Sequence, residues 1–329
     1  MNNEKRDGAS AELEAAAADL ASVVSEIRKV VVGQEAVIEQ ALIGLLSGGH
    51  VLVEGVPGLG KTLLVKALAK TLRASFARIQ FTPDLMPSDV TGHTLYDPSS
   101  GRFTARRGPV FANFILADEI NSAPAKTQAS LLEVMQEAQV TIEGEAHALP
   151  PPFMVFATQN PIEHEGTYPL PDAQLDRFLL NARITYPSQD EEVELTRQVT
   201  MATVGERLSV EAVTPVMEAA RVVRLQAFAA SLVVDEVVIA YAVRLARATR
   251  ENAGLARGAG PRASIALIRA ARAKALLSGR GFATPDDVKS VALAVLRHRV
   301  SITPELEIEG RDSDSVLTDL LAEVEAPRL

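Results

Sequence analysis

The sequence predicts an α/β fold with a parallel five-stranded sheet flanked by helices, followed by an all-α lid domain. Three observations support this prediction. Residues 55–62 form a glycine-rich loop between an apolar strand and a helix-forming segment. Short apolar strands alternate with helices up to about residue 187, as in parallel sheets covered on both faces. From Asp190 onward, helical periodicity replaces the strand pattern.

The chain is expected to have three parts. Residues 1–25 would form a helical N-terminal extension, residues 26–187 the α/β nucleotide-binding core, and residues 188–329 the helical lid. Within the core, alternating residues around turn-forming ones predict two β-hairpin insertions, at about residues 92–108 and 138–150.

The individual elements follow from local sequence patterns. Runs of apolar and β-branched residues predict strands, and apolar residues at helical spacing predict helices. The predicted core strands are 50–54, 77–81, 111–117, 153–158 and 179–184. The predicted helices are 11–27, 36–46, 63–72 and 126–137, then 190–201, 213–219, 235–250, 262–278 and 284–298 in the lid.

Composition narrows the possible function classes. The 329-residue chain has a net charge of −9 and 4% aromatic residues, which argues against binding to nucleic acid or to an anionic membrane. It contains no cysteine, which excludes disulfides, zinc–thiolate sites and cysteine nucleophiles. The N-terminus lacks the apolar core of a signal peptide, and no apolar run reaches membrane-spanning length. We therefore expect a cytoplasmic protein.

The segment from Gly55 to Thr62 is the strongest functional signal. It matches Gly, four free positions and Gly-Lys-Ser/Thr, the pattern of a loop whose backbone N–H groups bind phosphates. Lys61 would reach the terminal phosphates of ATP, and Thr62 would bind Mg²⁺. The alternative is a glycine-rich turn with a solvated lysine. The predicted nucleotide-binding residues are Gly55, Val56, Pro57, Gly58, Leu59, Gly60, Lys61, Thr62 and Leu63.

Polar residues follow two of the predicted strands. Asp118 and Glu119 come directly after strand 111–117, and ligand groups are presented where parallel strands end. Asp118 is predicted to hold Mg²⁺ and Glu119 to polarise the attacking water; the alternative is a solvated strand end. Asn160 follows strand 153–158 and is predicted to hold that water or a γ-phosphate oxygen, unless it only forms a turn with Pro161.

Two arginines complete the predicted site. Arg177 lies far along the chain from the phosphate loop and could project into the phosphates of a neighbouring subunit, where such a residue raises the rate by roughly 10³ to 10⁵. Its alternative role is an ion pair with Asp176 or Asp172. Arg262 begins a lid helix, where a cation opposes the helix dipole, so a bound anion is expected nearby. Its alternative role is surface solvation.

These motifs and their order resemble the MoxR family of AAA+ ATPases, in the helix-2-insert branch, over about residues 25–300. The most similar segments are Phe-Ala-Thr-Gln-Asn-Pro at 156–161, Leu-Pro-Asp-Ala-Gln-Leu-Asp-Arg-Phe at 170–178 and Gly-Pro-Arg-Ala at 260–263. The resemblance implies Walker A at 55–62, Walker B at 115–121, sensor 1 at Asn160, an arginine finger at Arg177, sensor 2 at Arg262 and an adenine-side entry segment at Val32, Gly33 and Gln34.

The resemblance also implies an activity and partners. Family members hydrolyse ATP to ADP and phosphate with Mg²⁺, in a homo-oligomeric ring that is usually hexameric, with active sites between subunits. They remodel client proteins like chaperones, or help insert cofactors or metals, together with a partner that carries a von Willebrand factor A domain. Arg262 could act on its own subunit's nucleotide or on a neighbour's. The chain ends shortly after the lid, so we expect the client to be reached through a partner or the ring surface.

Other functions are compatible with the same motifs. A nucleic-acid-stimulated motor could use the basic cluster of Arg102, Arg106 and Arg107 at the first predicted hairpin. The ATPase subunit of a metal chelatase would share the whole core. A ring that only binds nucleotide as a structural switch would require Glu119 to be inactive.

Overall fold

The computed structural model describes residues 2–56, 58–99, 101–159, 167–202 and 209–327. The strands are β1 (Val51–Glu54), β2 (Phe76–Gln80), β3 (Gly92–Asp97), β4 (Arg102–Arg107), β5 (Phe114–Asp118), β6 (Gln139–Ile142), β7 (Glu145–Ala148), β8 (Met154–Gln159), β9 (Leu180–Arg183), β10 (Val233–Val234), β11 (Leu255–Arg257), β12 (Phe282–Ala283) and β13 (Ser301–Ile302). The helices are α1 (Asn2–Arg28), α2 (Glu35–Leu46), α3 (Lys61–Thr71), α4 (Pro87–Thr91), α5 (Ala125–Glu137), α6 (Asp172–Leu175), α7 (Gln189–Ala202), α8 (Ala219–Ser231), α9 (Glu236–Glu251), α10 (Pro261–Leu277), α11 (Pro285–Leu296), α12 (Pro304–Ile308) and α13 (Ser313–Glu323). Short 3₁₀ helices cover Pro109–Phe111, Ile120–Ser122 and Arg297–Arg299.

The central sheet is parallel, with strand order β2-β5-β8-β1-β9. The predicted fold class is therefore confirmed. Because all its strands run the same way, the sheet has two chemically different edges. The carboxyl edge is formed by the strand ends Glu54, Gln80, Asp118, Gln159 and Arg183, and the amino edge by the strand starts Val51, Phe76, Phe114, Met154 and Leu180.

Alternate residues of the central strands face opposite sides of the sheet, as a strand's period of two requires. Leu116 and Phe156 belong to a large apolar cluster that continues through α2, α3 and the lid helices α9, α10 and α11. Ile115 and Val155 belong to a smaller cluster that is covered by α5 and β6. The C-terminal helices therefore pack directly onto the layer that covers one face of the sheet.

Two hairpins extend from the core. β3 and β4 form an antiparallel ladder from Gly92 opposite Arg107 to Asp97 opposite Arg102. Every residue of β4 is exposed, and the ring of Phe103 lies 5.2 Å from that of Tyr96 on the other strand. β6 and β7 form the second antiparallel hairpin, directly after α5.

Some predicted elements differ from the observed ones. The helix predicted at 213–219 is wrong: residues 213–218 form a loop, and α8 begins only at Ala219. Pro215 explains the difference, because proline lacks a backbone N–H and disfavours helical geometry in the residue before it. The C-terminal part is helical as predicted, but the pairs β10–β12 and β11–β13 add short ladders between the ends of its helices.

Helix α1 is attached to the body of the protein along one face. Its buried apolar residues, which join the large cluster, are Ala16, Leu20, Val23 and Ile27. Arg221 of α8 binds the carboxylates of both Glu12 and Asp19. Because α1 touches α3 and α10, it connects the helix after the glycine-rich loop to a lid helix.

Within the described ranges, every helix is too short or too polar to cross a lipid bilayer.

Candidate functional site

The glycine-rich loop lies at the carboxyl edge, between β1 and α3. Gly58 and Gly60 have φ angles of 88° and 79°, in the left-handed region that glycine adopts without strain. A Cβ built on either residue would have no atom within 4 Å, so the curled backbone is open on that side. At Gly55, a Cβ would lie 2.7 Å from the carbonyl oxygen of Ile184, so only glycine fits there. Pro57 lies outside the described residues.

The Lys61 ammonium lies inside the loop, where its Nζ donates to the carbonyl oxygen of Gly55. Burial lowers the pKa of Lys61 from its usual value. The carboxylates of Glu54, Asp118 and Glu119 act in the opposite direction on this pKa. A half-buried ammonium inside a loop of curled backbone is suited to binding the negative charge of a polyphosphate.

The residues next to Lys61 differ in what they can offer a ligand. Thr62 directly follows Lys61 at the start of α3, and its side chain is half-buried. Leu63 is buried and packs into the large apolar cluster, so only its backbone N–H could contact a nucleotide. The N-terminus of α3 adds the positive end of a helix dipole to this position.

Asp118 and Glu119 lie at the carboxyl edge and are fixed by Thr158 of β8. The Thr158 hydroxyl donates to Asp118 Oδ1 at 2.6 Å and accepts from the backbone N–H of Glu119 at 2.8 Å. Glu119 has φ 55° and ψ 51°, an unusual conformation for a residue with a side chain. Such strained residues are found preferentially at functional sites.

Sequence reasoning missed two residues of β2 that contact the same acids. Arg78 donates to Asp118 Oδ2 through Nε at 3.0 Å and Nη2 at 2.6 Å, and Nη2 also donates to Gln80 Oε1 at 2.7 Å. Gln80 Nε2 in turn donates to Glu119 Oε2 at 2.7 Å. The alternation of polar residues at 78 and 80 in this edge strand could have identified them.

The described residues contain no group of three or more His, Cys, Asp or Glu side chains that could hold a metal ion by themselves. A Mg²⁺ ion bound with nucleotide needs only one or two protein oxygens, because phosphates and water supply the rest of its shell. Asp118 can supply one such oxygen at the carboxyl edge, where its Oδ2 is paired with Arg78.

The predicted adenine-side segment is also near the carboxyl edge. Gln34 Nε2 donates to the carbonyl oxygen of Thr185 at 3.0 Å, just beyond the end of β9. Gly33 has φ 70°, and a Cβ there would lie 2.7 Å from the Glu191 carboxyl carbon. Val32 is half-buried beside them. Asn160, the predicted water-positioning residue, lies outside the described residues, and its role stays a prediction.

Arg177 and Arg262 are close to each other but lie away from the phosphate loop. Both line a cavity of about 410 Å³, together with His50, which directly precedes β1, and Leu179, which directly precedes β9. This cavity is therefore at the amino edge. Arg262 Nη1 is 3.9 Å from Asp176 Oδ2, whereas no ion pair of the Arg177 side chain occurs among the described residues.

The basic cluster on the first hairpin is partly engaged within the chain. The guanidinium of Arg107 lies 5.0 Å from the centre of the Phe111 ring. Arg102 and Arg106 are exposed on β4.

Comparison with known proteins identifies the fold and its relatives. Residues 50–180 match the family described as "ATPase family associated with various cellular activities (AAA)", and residues 247–320 match the AAA lid domain. A crystal structure of a protein assigned as an ATPase, from Cytophaga hutchinsonii, superposes with a TM-score of 0.89 and 40% identity, and covers 100% of both chains.

Several curated relatives carry the name MoxR. Chaperone MoxR1 of Mycobacterium tuberculosis is 44% identical over 324 residues, which cover 94% of this chain and 83% of the relative. Protein MoxR of Methylorubrum extorquens is 32% identical over 306 residues, covering 86% and 88%. The similarity thus extends over the sheet, the glycine-rich loop and the lid together. The chain belongs to the MoxR family of AAA+ ATPases.

Proposed function

We propose that this chain is a Mg²⁺-dependent ATPase that acts as a homo-oligomer, with each nucleotide bound between two subunits, and that it remodels client proteins. One observation carries the proposal: the loop and the acids that suit Mg-ATP lie at the carboxyl edge, whereas the two predicted arginines lie at the amino edge. A single chain therefore carries both parts of the site, but at opposite edges of its sheet, the carboxyl edge and the amino edge.

The carboxyl edge would bind the nucleotide. Backbone N–H groups of the loop, the Lys61 ammonium and the α3 dipole would hold the phosphates, and Thr62 and Asp118 would hold the metal. When bound, Mg²⁺ neutralises charge on the phosphate oxygens. The segment with Gln34 would lie beside the adenine.

Glu119 would take the proton of the attacking water, since its carboxylate is at the same edge and its backbone is fixed by Thr158. The hydrogen bond from Gln80 holds one oxygen of that carboxylate. Asn160 would orient the water beside it.

Arg177 would act on the nucleotide of an adjacent subunit, and we extend this role to Arg262. Both line the cavity at the amino edge, and β1 separates that edge from the phosphate loop of the same chain. The four residues of β1 span about 13 Å at the usual rise per residue. A guanidinium that neutralises charge developing on the phosphates must contact them, which favours action between subunits.

The remodelling role and the partners are taken from the family. The relative from M. tuberculosis is a chaperone by name. By analogy, this chain would form a ring of six members and would cooperate with a protein carrying a von Willebrand factor A domain. A cytoplasmic location and a division between core and lid near residue 187 belong to the same proposal. The comparisons do not favour the nucleic-acid motor or the chelatase subunit.

The experiment mixes two inactive variants. Lys61→Ala should lose ATP binding, and Arg177→Ala should bind ATP but lose turnover. Because a mixed interface can pair an intact phosphate loop with an intact arginine, mixing the two should restore part of the activity. Arg247→Ala is the matched control, since Arg247 is an exposed arginine on α9 whose ion pair is with Glu251 of the same helix.

The proposal fails if the mixture stays as inactive as its components while Arg247→Ala retains parental turnover. A Glu119→Gln variant adds a second criterion. It should still bind ATP but should not hydrolyse it, and turnover at the parental rate would exclude Glu119 as the base.

A further inference from the structure

The short loop that carries Arg177 is held by a buried arginine from the lid. Arg299, at the end of the 3₁₀ helix after α11, is 4% exposed. Its Nε donates to Asp176 Oδ1 at 2.7 Å. Its Nη2 donates to the carbonyl oxygen of Phe178 at 2.6 Å, and its Nη1 to that of Leu179 at 3.0 Å. The residues on both sides of Arg177 are therefore bonded to one guanidinium.

A second lid side chain holds the same loop. His298 Nε2 lies 3.1 Å from the carbonyl oxygen of Phe178, which therefore has two partners. Burial and the neighbouring Arg299 lower the pKa of His298 well below its ordinary value. The ring is thus neutral and donates from Nε2, because only that tautomer can bond to a carbonyl oxygen.

The contacts explain why an arginine is needed at position 299. Its planar fork carries five N–H donors in fixed directions, whereas a lysine ammonium is a compact charge with three donors. The Phe178 and Leu179 carbonyls and the Asp176 carboxylate surround the fork in this way. The Asp176 carboxylate also offsets the cost of burying the charge.

We propose that Arg299 is a positioning residue for Arg177: it fixes the loop on either side, so that the Arg177 side chain projects into the amino-edge cavity. This inference rests on the proposed action of Arg177 between subunits. Because Arg299 lies in the lid and bonds to residues on both sides of Arg177, a movement of the lid would be transmitted to the Arg177 loop. The position of the lid in one subunit thereby determines where Arg177 lies relative to the nucleotide of the next subunit.

The test is Arg299→Lys, which keeps a buried cation beside Asp176 but cannot reach all the carbonyl oxygens. We expect kcat for ATP to fall by about 10- to 100-fold, as a displacement of a catalytic group by about 1 Å can produce. ATP affinity should change less than twofold, because the phosphate loop is intact. Mixing with Lys61→Ala subunits should restore turnover, as for Arg177→Ala. Hydrogen exchange of the amides at 177–179 should be faster than in the parent.

Arg280→Lys is the matched control. Arg280 binds the buried carboxylate of Asp287, and among the described residues its side chain makes its hydrogen bonds and ion pair only within the lid. Its replacement should leave kcat within twofold of the parent even though it also weakens a buried arginine–carboxylate contact in the lid. A second variant, His298→Leu, removes only one donor to Phe178 and should give a smaller loss of kcat that mixing also restores.

The outcomes separate this inference from the proposed function. Arg299 does not position Arg177 if Lys61→Ala subunits restore turnover to Arg177→Ala but not to Arg299→Lys and His298→Leu. The same conclusion follows if Arg299→Lys and His298→Leu both keep the parental kcat. If Arg177→Ala itself is not complemented, the action between subunits is wrong and the inference falls with it. A folded Arg299→Lys with unchanged exchange at 177–179 would also overturn it.

Discussion

The buried hydroxyl of Thr158 fixes the positions of two acidic residues at the candidate site. It is 1% exposed at the end of β8, and it contacts both acids at once: it donates to the Asp118 carboxylate and accepts from the Glu119 N–H. These bonds fix the direction of the carboxylate predicted to hold Mg²⁺ and the unusual backbone of the predicted base.

Replacing Thr158 by valine tests this role. Valine has almost the same shape but leaves one Asp118 oxygen and the Glu119 N–H without a partner, which costs about 1 to 3 kcal/mol in stability. If Glu119 is displaced, kcat should fall roughly tenfold or more, since 1.4 kcal/mol corresponds to tenfold. Urea unfolding and steady-state ATPase assays measure the two effects. Thr127→Val is the control, because its buried hydroxyl bonds only to Leu85 O in the described chain; equal kcat losses in both variants would contradict the role.

His50 is a buried histidine directly before β1, and its ring bonds to strand β8 and to helix α5. It accepts from the backbone N–H of Val155 at 3.0 Å through Nδ1, and its Nε2 lies 3.0 Å from the carbonyl oxygen of Met135. Burial lowers its pKa from 6.5 to about 4, helped by the charge of Arg269. The folded protein therefore keeps this ring neutral at pH values where the unfolded chain binds a proton.

Stability should therefore decrease as the pH falls below 6.5, and the loss should be complete near pH 4. From His50 alone, the free energy of unfolding should be about 2 kcal/mol lower at pH 5 than at pH 8. In His50→Gln this drop should be smaller by that amount, since glutamine can bond similarly but does not titrate. Urea unfolding at both pH values measures it, with the exposed His93→Gln as control; an unchanged drop in His50→Gln would refute the assignment.

At the scale of elements, helix α13 is attached by its N-terminus to the strand ends beside the phosphate loop. Asp314 lies 3.0 Å from Arg183 Nη1 and 3.0 Å from Arg297 Nη2. Arg183 also lies 3.0 Å from Asp312 and 3.7 Å from Glu54, which directly precedes Gly55. The last helix of the chain is thus tied by charge to the carboxyl edge.

Asp314→Asn should destabilise the protein more than an ordinary surface change. It leaves Arg297, whose side chain is 9% exposed, without its carboxylate partner. Breaking such a partly buried pair should cost about 3 kcal/mol, the lower end for buried pairs. Asp319→Asn on the same helix is the control: it breaks an exposed pair with Arg311 and should cost less than about 1 kcal/mol. Similar urea midpoints for the two variants would show that the α13 attachment contributes little.

Local sequence patterns were sufficient to predict most helices and strands. The features that they did not predict depend on how these elements assemble. The five core strands and the loop at 55–62 are visible because apolar runs and glycine spacing are local properties. The strand order is not local: that β1 lies between β8 and β9, and that Arg177 and Arg262 share the opposite edge, depends on how the elements assemble. No sequence pattern indicated a role for Arg299, because a basic residue after a helix usually contacts solvent or the last carbonyl oxygens of that helix.

At the scale of the whole molecule, the two edges of the sheet make self-association directional. An interface that joins the carboxyl edge of one subunit to the amino edge of the next is heterologous, and it closes into a ring only if the rotation between subunits fits. Such an assembly completes each proposed site with a neighbour's arginines.

Assembly and turnover should therefore rise together. We expect ATPase activity per chain to increase with protein concentration and to level off where sedimentation velocity shows the largest species, with Mg-ATP shifting both curves to lower concentration. Nucleotide binding stabilises the associated state because it favours the form that binds it. Constant activity per chain across a range in which the protein dissociates to monomers would rule out a shared site.

The separation of the arginines from the phosphate loop also determines how many complete sites an assembly contains. In an unclosed stack of subunits, one terminal member has a loop with no arginine opposite it, and the other terminal member has arginines with no nucleotide to meet. A stack of n chains thus contains n − 1 working sites, and joining its two ends adds one more without any new polypeptide. Counting active sites per chain would then tell a broken circle from an intact one.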